Sequence, residues 1–398
     1  MLIGTGLIVG GSIALAGAIG WDMIEKRNKG QYKPDDDNDK YTRAYTKLFT
    51  NLGIMDAAAG DWVRFVSKKE TDNYKQMQFR VSDTLTVKAI KSKSEAIAEK
   101  MHVDNLEVGV DKGLLTFRAY KQGVEPKHYK FAPTAKHLIP LGVDVEGNTT
   151  MIDLRVDPHL LVGGASNCGK STLLNMIILH IMENEAGELW LCDLKDGLEF
   201  GDYRECKQVK KYAETIAQAR KMIEEVMSES IRRYKFLKDK GYRSYVKYVE
   251  ALKDGEIDEL GRVFVFMDEF ADLMQGKNNS TIDDLITLSR KCRAVGIVLV
   301  LATQKPTSDS VPTALSANVT GRVGFRVTNG TNSKTIIDET GCEDLENFQC
   351  IAILKGKKVR FNTMYLEDKV VMSTIRKYKV HKNLNVEVEK EETGLLGV

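Results

Sequence analysis

The chain opens on an uncharged apolar run. Residues 2–21, LIGTGLIVGGSIALAGAIGW, contain no ionisable side chain, and at 1.5 Å rise per residue a helix of about this length spans the roughly 30 Å core of a bilayer. The run predicts one transmembrane helix. Lys26, Arg27 and Lys29 follow it, while only the α-amino group precedes it, so the basic excess places the rest of the chain on the cytoplasmic side of the cell membrane, as a single-pass protein. Trp21 falls at the interface. Ala14-Leu15-Ala16 and Ala16-Gly17-Ala18 resemble signal-peptidase sites, but the basic region that opens a secretory signal is missing. Gly6, Gly10, Ala14 and Ala18 recur every four residues, which either presents a small-residue face for close helix packing in lipid or is low-bulk filler.

Polar and mixed patterns follow. Residues 22–60 predict a cytoplasmic tether, because GQYKPDDDNDK is acidic and contains a proline. Over 61–140, short β-rich runs alternate with one helical stretch, KSKSEAIAEKM, and VGVDKGLLTFRAYK reads as strand, turn, strand. This predicts a small α+β module. From 141 the pattern changes to apolar strands separated by long amphipathic helices: HLLVGG, STLLNMIILHIMENE, LWLCDL, a helix near 213–238, VFVFMDE, TIDDLITLSRKCRAVG, IVLVLATQ and GRVGFRV. Such alternation predicts an α/β domain over 141–375 with a mainly parallel sheet covered by helices on both faces. Residues 376–398 read as a charged tail, and no internal repeat is visible.

Composition excludes several classes. A length of 398 residues fits two to three domains, and 42% hydrophobic with 29% charged residues is neither disordered nor fibrous. A net charge of +2 leaves no bulk polycation to coat an anionic polymer, so any nucleic-acid contact must come from local patches. The six cysteines lie far apart, without a CxxC pair or histidines at zinc spacing, which argues against a disulfide framework or structural metal and for a reducing compartment.

The candidate chemistry lies in the second half. Gly164-Ala165-Ser166-Asn167-Cys168-Gly169-Lys170-Ser171, with Thr172 after it, satisfies GxxxxGK[ST] between a strand and a helix, the context of a P-loop. Loop amides and the helix N-terminus would cradle the phosphates of ATP, Lys170 would neutralise the β and γ groups, and Ser171 would coordinate Mg²⁺. Asp268 and Glu269 end the apolar run VFVFM, at the edge where open α/β sheets hold their ligands. Asp268 is read as the magnesium acid, and Glu269 as the base that orients and deprotonates the attacking water. Gln304 ends the next strand, within reach of the γ-phosphate or the water, or is simply a polar strand end. Cys168, at a helix N-terminus, is expected to have a depressed pKa and a reactive thiol.

In order, PHLLVGGASNCGKS, LCDLKDG, RRY, VFVFMDEFADLM and KCRAVGIVLVLATQKP resemble the motor of FtsK/SpoIIIE DNA translocases. The resemblance covers about residues 75–365 and implies a RecA-like motor, a homo-hexameric ring and double-stranded DNA threaded through it without sequence preference. Asn167 and Cys168 stand where that family's P-loop usually has small residues. One apolar helix before the motor, and too few residues after it for a winged helix, resemble coupling ATPases of Gram-positive conjugative plasmids and integrative elements, with relaxosome or mating-channel proteins as partners. A segregation or packaging motor, a protein-secretion ATPase and a P-loop switch are the alternatives; the Asp268-Glu269 pair argues against a pure switch.

Two further readings stay open. Arg232–Tyr248, RRYKFLKDKGYRSYVKY, interleaves basic and aromatic residues in a way that suits phosphates and stacking, while Tyr234 and Leu237 equally continue the apolar helix stripe of Ile216, Ile223 and Val226. The resemblance places Arg293, in KCRAVG, at a subunit border facing a neighbour's ATP, as an arginine finger. Its competing role is to cap a helix C-terminus. Arg322 is the second candidate.

Overall fold

The structure, a computed structural model, describes residues 34–71, 74–103, 105–120, 127–274 and 280–380. It divides into two units: one runs to Glu125 and takes in Val145–Asn148, and the other takes Pro126–Asp144 and the chain from Thr149. Among the described residues no helix is long and apolar enough to cross a membrane. The span expected over 2–21 lies outside them, as does most of the charged tail.

In the first unit, helix α1 (Pro34–Asn51) precedes strands β1 (Val63–Glu70) and β2 (Tyr74–Val81), helices α2 (Val87–Lys91) and α3 (Ser94–Met101), and strands β3 (Asn105–Asp111) and β4 (Leu114–Tyr120). The strands form an antiparallel sheet in the order β1-β2-β4-β3. Lys112 and Gly113, at φ 50° and 79°, make the tight turn from β3 to β4. Tyr41, Tyr45, Leu48 and Phe49 are buried with Phe65, Phe79 and Phe117 in one core. Their spacing is a helical stripe. The tether expected over 22–60 is therefore corrected for 34–51: the acidic start hides a helix whose aromatic face needs the sheet to bury it.

The second unit contains β5 (Leu138–Asp144), β6 (Thr149–Asp153), β7 (Leu160–Gly163), α4 (Lys170–Glu183), β8 (Glu188–Asp193), β9 (Val209–Ala213), α5 (Ile216–Asp239), α6 (Tyr245–Ala251) and β10 (Val263–Asp268). Then come α7 (Ser280–Val295), β11 (Ile297–Thr303), α8 (Thr313–Ser316), β12 (Gly321–Gly324), α9 (Gly330–Ile337), β13 (Gln349–Leu354), β14 (Lys357–Asn362) and α10 (Asp368–Tyr378). One sheet runs β6-β5-β14-β13-β12-β7-β11-β10-β8-β9. It is parallel from β12 to β9 and antiparallel from β13 to β6.

The continuous apolar runs are strands buried on both faces. Phe264 and Phe266 of β10 pack in the cluster that holds Leu173 and Ile177 of α4. Val263, Val265 and Met267 face the opposite cluster, with Met222 and Val226 of α5 and Leu288 and Cys292 of α7. The two-residue period thus sorts one strand's side chains onto two layers. Helix α5 begins at a capping box between Thr215 and Gln218. Its buried stripe uses Ile223, Val226 and Leu237, whereas Ile216 and Tyr234 are exposed.

Candidate nucleotide site

Four strands end at one edge of the parallel sheet. Asp268 ends β10 directly beside Asp193 at the end of β8, and Thr303 ends β11 beside Gly163 of β7. The loop after Gly163 turns into α4. Asn167 and Gly169 take left-handed backbone, φ 59° and 107°. Asparagine tolerates this conformation through its short polar side chain, which accounts for its place in the loop. A Cβ on Gly169 would stand 2.9 Å from the Phe348 ring, so this turn is crowded as well as strained for other residues. The amides of Gly164 and Ala165 donate to the carbonyls of Thr303 (3.2 Å) and Arg326 (2.8 Å), and the Phe348 amide donates to Cys168 O (2.8 Å). These bonds fix the loop to β11, β12's exit and the segment before β13.

The loop borders a cleft of about 320 Å³. Ala165, Ser166, Asn167, Gly169, Lys170, Ser171 and Thr172 line it, together with Glu199, Gln304 and Phe348. Gly164 and Cys168 do not. Cys168 is fully buried in the core below α4, with its thiol donating to Ala165 O at 2.7 Å. Burial raises its pKa against the lowering pull of Lys170. The expected reactive thiol is thereby overturned, because desolvation outweighs the helix N-terminus.

Charge is concentrated just below the loop. Asp268 has no exposed surface; its Oδ1 accepts from Lys170 Nζ at 3.0 Å and its Oδ2 from Lys195 Nζ at 2.6 Å. Asp193 accepts instead from main-chain amides, those of Lys195 (3.1 Å), Glu199 (2.8 Å) and Phe200 (2.8 Å), and so winds the 194–200 turn. Glu269 follows Asp268 at φ 55°, which turns its carboxylate onto the end of β11. There it accepts from Thr303 Oγ1 at 2.8 Å and from the Gln304 amide at 3.0 and 3.2 Å. Gln304 Oε1 accepts from Ser166 Oγ at 2.7 Å. A chain of contacts therefore joins the loop, Gln304 and Glu269.

This arrangement can hold a phosphate chain at the loop and a carboxylate near it. Ser171 and Asp268 offer hard oxygen donors, and Asp268 already gathers cations, which fits Mg²⁺. Among the described residues no group of three His, Cys, Asp or Glu could hold a metal, so the fit is that of an ion bound by one or two protein oxygens plus nucleotide phosphates.

The arginine candidates lie elsewhere. Arg293 is exposed in the last turn of α7, before β11 begins; β11 then runs about 20 Å to the cleft edge, at roughly 3.3 Å per residue. It sits at the sheet's opposite edge. Arg322 is buried, donating to Val319 O (3.1 Å), Ser316 O (2.7 Å) and Asp338 (2.5 Å). Its fork is consumed within the chain, which removes it as a finger. The aromatics of 232–248 are packing residues: Phe236 and Tyr242 meet Tyr248 edge-on at 5.5 and 5.4 Å, and Tyr234 donates to Lys291 O at 3.0 Å. Phe236, Tyr242, Tyr245 and Tyr248 therefore pack against one another, while Tyr234 stays exposed.

Asp193, Lys195, Glu199 and Phe348 were not singled out from sequence. LCDL ends in an acid as VFVFMD does, so the same edge argument applies to Asp193 and to the residues just after it. Phe348 carries no such signal.

A model described as the FtsK/SpoIIIE family matches residues 127–308. The DNA translocase FtsK of Lactiplantibacillus plantarum is 31% identical over 292 residues, 69% of this chain and 36% of that protein. The DNA translocase SpoIIIE of Bacillus subtilis is 31% identical over 256 residues, 61% of this chain and 34% of that one. The chain thus spans about a third of the length of these relatives. Among solved structures, the pCW3 conjugation coupling protein TcpA, in monomer form with ATPγS, is similar at TM-score 0.59 and 22% identity, over 85% of this chain and 100% of that one. The cytoplasmic domain of the Thermomonospora curvata type VII secretion ATPase EccC is similar at TM-score 0.56 and 21% identity, over 64% of this chain and 32% of that one. The shared fold is mixed α/β with a large, mainly parallel sheet, as in P-loop ATPase motors. Over residues 127–308 the chain therefore carries an ATPase-motor domain of the FtsK/SpoIIIE family.

Proposed function

We propose that the chain is a membrane-anchored, ATP-driven translocase of double-stranded DNA, with residues 141–375 as a RecA-like motor, working as a homo-hexameric ring, and residues 2–21 as its anchor. The observation that carries the ATP-splitting part of this reading is the junction of Lys170 with Asp268 at 3.0 Å, beside a Glu269 held by Thr303 and Gln304; the likeness to DNA translocases supports DNA as the cargo, and the apolar run 2–21 supports the anchor. In a pure nucleotide switch the second acid would have no task.

In this reading the loop amides and Lys170 bind the phosphates of ATP, and Lys170 leaves Asp268 to do so. Ser171 and Asp268 hold Mg²⁺, which when bound neutralises charge on the phosphates. Glu269 exchanges its contacts with Thr303 and Gln304 for a water, orients it and takes its proton. Gln304, already tied to Ser166, registers whether the loop is occupied. Arg293 lies at the sheet edge opposite its own chain's cleft and is exposed, which suits a group acting on a neighbour's ATP.

The narrower role we favour is the coupling ATPase of a conjugative plasmid or integrative element, with relaxosome or mating-channel proteins as partners. What supports it is layout: the likeness to TcpA extends over all of that chain.

The test is ATP hydrolysis by the full chain with and without linear duplex DNA. Hydrolysis should rise several-fold with DNA of any sequence, and the rise should shrink steeply with salt, since phosphate contacts release counterions. Basal hydrolysis untouched by DNA would favour a protein-secretion motor. No hydrolysis under any condition would remove the motor.

A further inference from the structure

Asp268 carries one negative charge and two ammonium partners. Lys170 is sealed, with a side chain 4% exposed, whereas Lys195 reaches in from the open side with 23% of its side chain exposed. The main chain that bears Lys195 is fixed on both sides. Its amide donates to Asp193 Oδ1, and the other Asp193 oxygen accepts from the amides of Glu199 and Phe200. Asp196 and Gly197, at φ 56° and 76°, fold the turn back, and the Leu198 amide donates to Lys195 O at 3.2 Å. The turn is held by main-chain bonds, and the lysine side chain by its ion pair with Asp268. A second carboxylate belongs to the same turn: Glu199, whose amide is held by Asp193, lines the nucleotide cleft.

A divalent cation beside Asp268 and an ammonium on the same carboxylate repel each other at close range in a water-poor site. Both cannot stay. We propose that Lys195 is a tethered cation that holds Asp268 in the nucleotide-free protein, yields it to the magnesium of an arriving magnesium–nucleotide complex by swinging to Glu199, and thereby sets the site's magnesium affinity. The proposal rests on the nucleotide-site reading above. It makes Lys195 a positioning residue: it acts through Asp268 and needs no contact with the reacting atoms.

The experiment titrates Mg²⁺ into the full chain mixed with a fluorescent, slowly hydrolysed ATP analogue, and reads the Mg²⁺ concentration at half effect. Lys195→Met removes the competing charge and should lower that concentration about tenfold. Lys195→Arg keeps the charge, cannot lose it at any working pH and adds donors, so the half-point should rise. Unchanged half-points in both variants overturn the proposal. A rise with Lys195→Met also overturns it, because Lys195 would then be helping to hold phosphate. If the methionine variant does not fold, the arginine variant decides alone, and a half-point at or below that of the parent overturns the proposal. If the parent itself fails to bind the analogue, the nucleotide-site reading falls first and takes this one with it.

Discussion

The two edges of the parallel sheet carry similar charges and use them in opposite ways. At the carboxyl edge, Asp268 is neutralised by the side-chain ammoniums of Lys170 and Lys195. At the amino edge, the guanidinium of Arg233, 1% exposed, donates to the carbonyls of Gly261 (2.8 Å), Val295 (3.1 Å) and Leu260 (2.9 Å) and to Glu229 (2.6 Å). The first set can be exchanged for a ligand and the second cannot, because three of its four acceptors are main-chain carbonyls. A buried charge marks a functional site when its partners are able to leave it; when its partners are carbonyls it is part of the frame.

Arg293 breaks or sharpens this contrast most strongly, since it lies at the amino edge without being buried. Arg293→Ala should lower hydrolysis on the order of 10³-fold while nucleotide binding persists, as loss of an arginine finger does. Mixing it with Glu269→Gln subunits should restore part of the activity, because each supplies what the other's interface lacks. A dead mixture in rings shown to be mixed would return Arg293 to helix capping, worth less than about 1 kcal/mol.

Arg233→Lys comes next. A lysine has no fork to reach three carbonyls, and leaving buried partners unpaired costs about 3–5 kcal/mol, roughly 10 °C in melting temperature for a domain of this size. Hydrolysis per folded molecule should hold. Lys170→Ala should weaken ATP about 100-fold and cost less in melting than Arg233→Lys, because Lys195 still pairs with the buried Asp268. If Lys170→Ala proves the more destabilising of the two, the contrast between the edges is wrong.

The smallest effect is on pH. His159, fully buried at the amino edge, accepts from the Leu299 amide at 3.1 Å and so extends the β11 ladder as a neutral ring. Burial lowers its pKa to about 4. Its folded pKa lies below the unfolded value of about 6.5, so its contribution is complete above that pH and lost as pH falls toward 4. Thermal melts between pH 7.5 and 5 should show the motor weakening by about 1–3 kcal/mol. A flat profile would mean that His159 is not held neutral.

Much of the motor is legible because its physics is local. VFVFM and IVLVLAT are uninterrupted apolar runs of strand length, which reads as strands covered on both faces, and the polar residues after them, Asp268 with Glu269 and Gln304, fall at an edge. The first helix was illegible because its acidic opening suggests solvent, and its stripe of Tyr41, Tyr45, Leu48 and Phe49 gains meaning only with a sheet beneath it. The pairing of Lys195 with Asp268 spans 73 positions and depends on how Asp193 winds a turn. Spacing does not encode that. Cys168 misleads for a related reason: its position at a helix start is local, but its burial depends on packing beneath α4.

The account's central claim is that the carboxyl edge separates holding ATP from splitting it. Glu269→Gln measures this directly, since the amide keeps the side chain's shape and loses the base. The variant should bind the fluorescent ATP analogue as tightly as the parent, and its hydrolysis should fall on the order of 10²-fold or more. Hydrolysis equal to the parent's at unchanged affinity would contradict the claim.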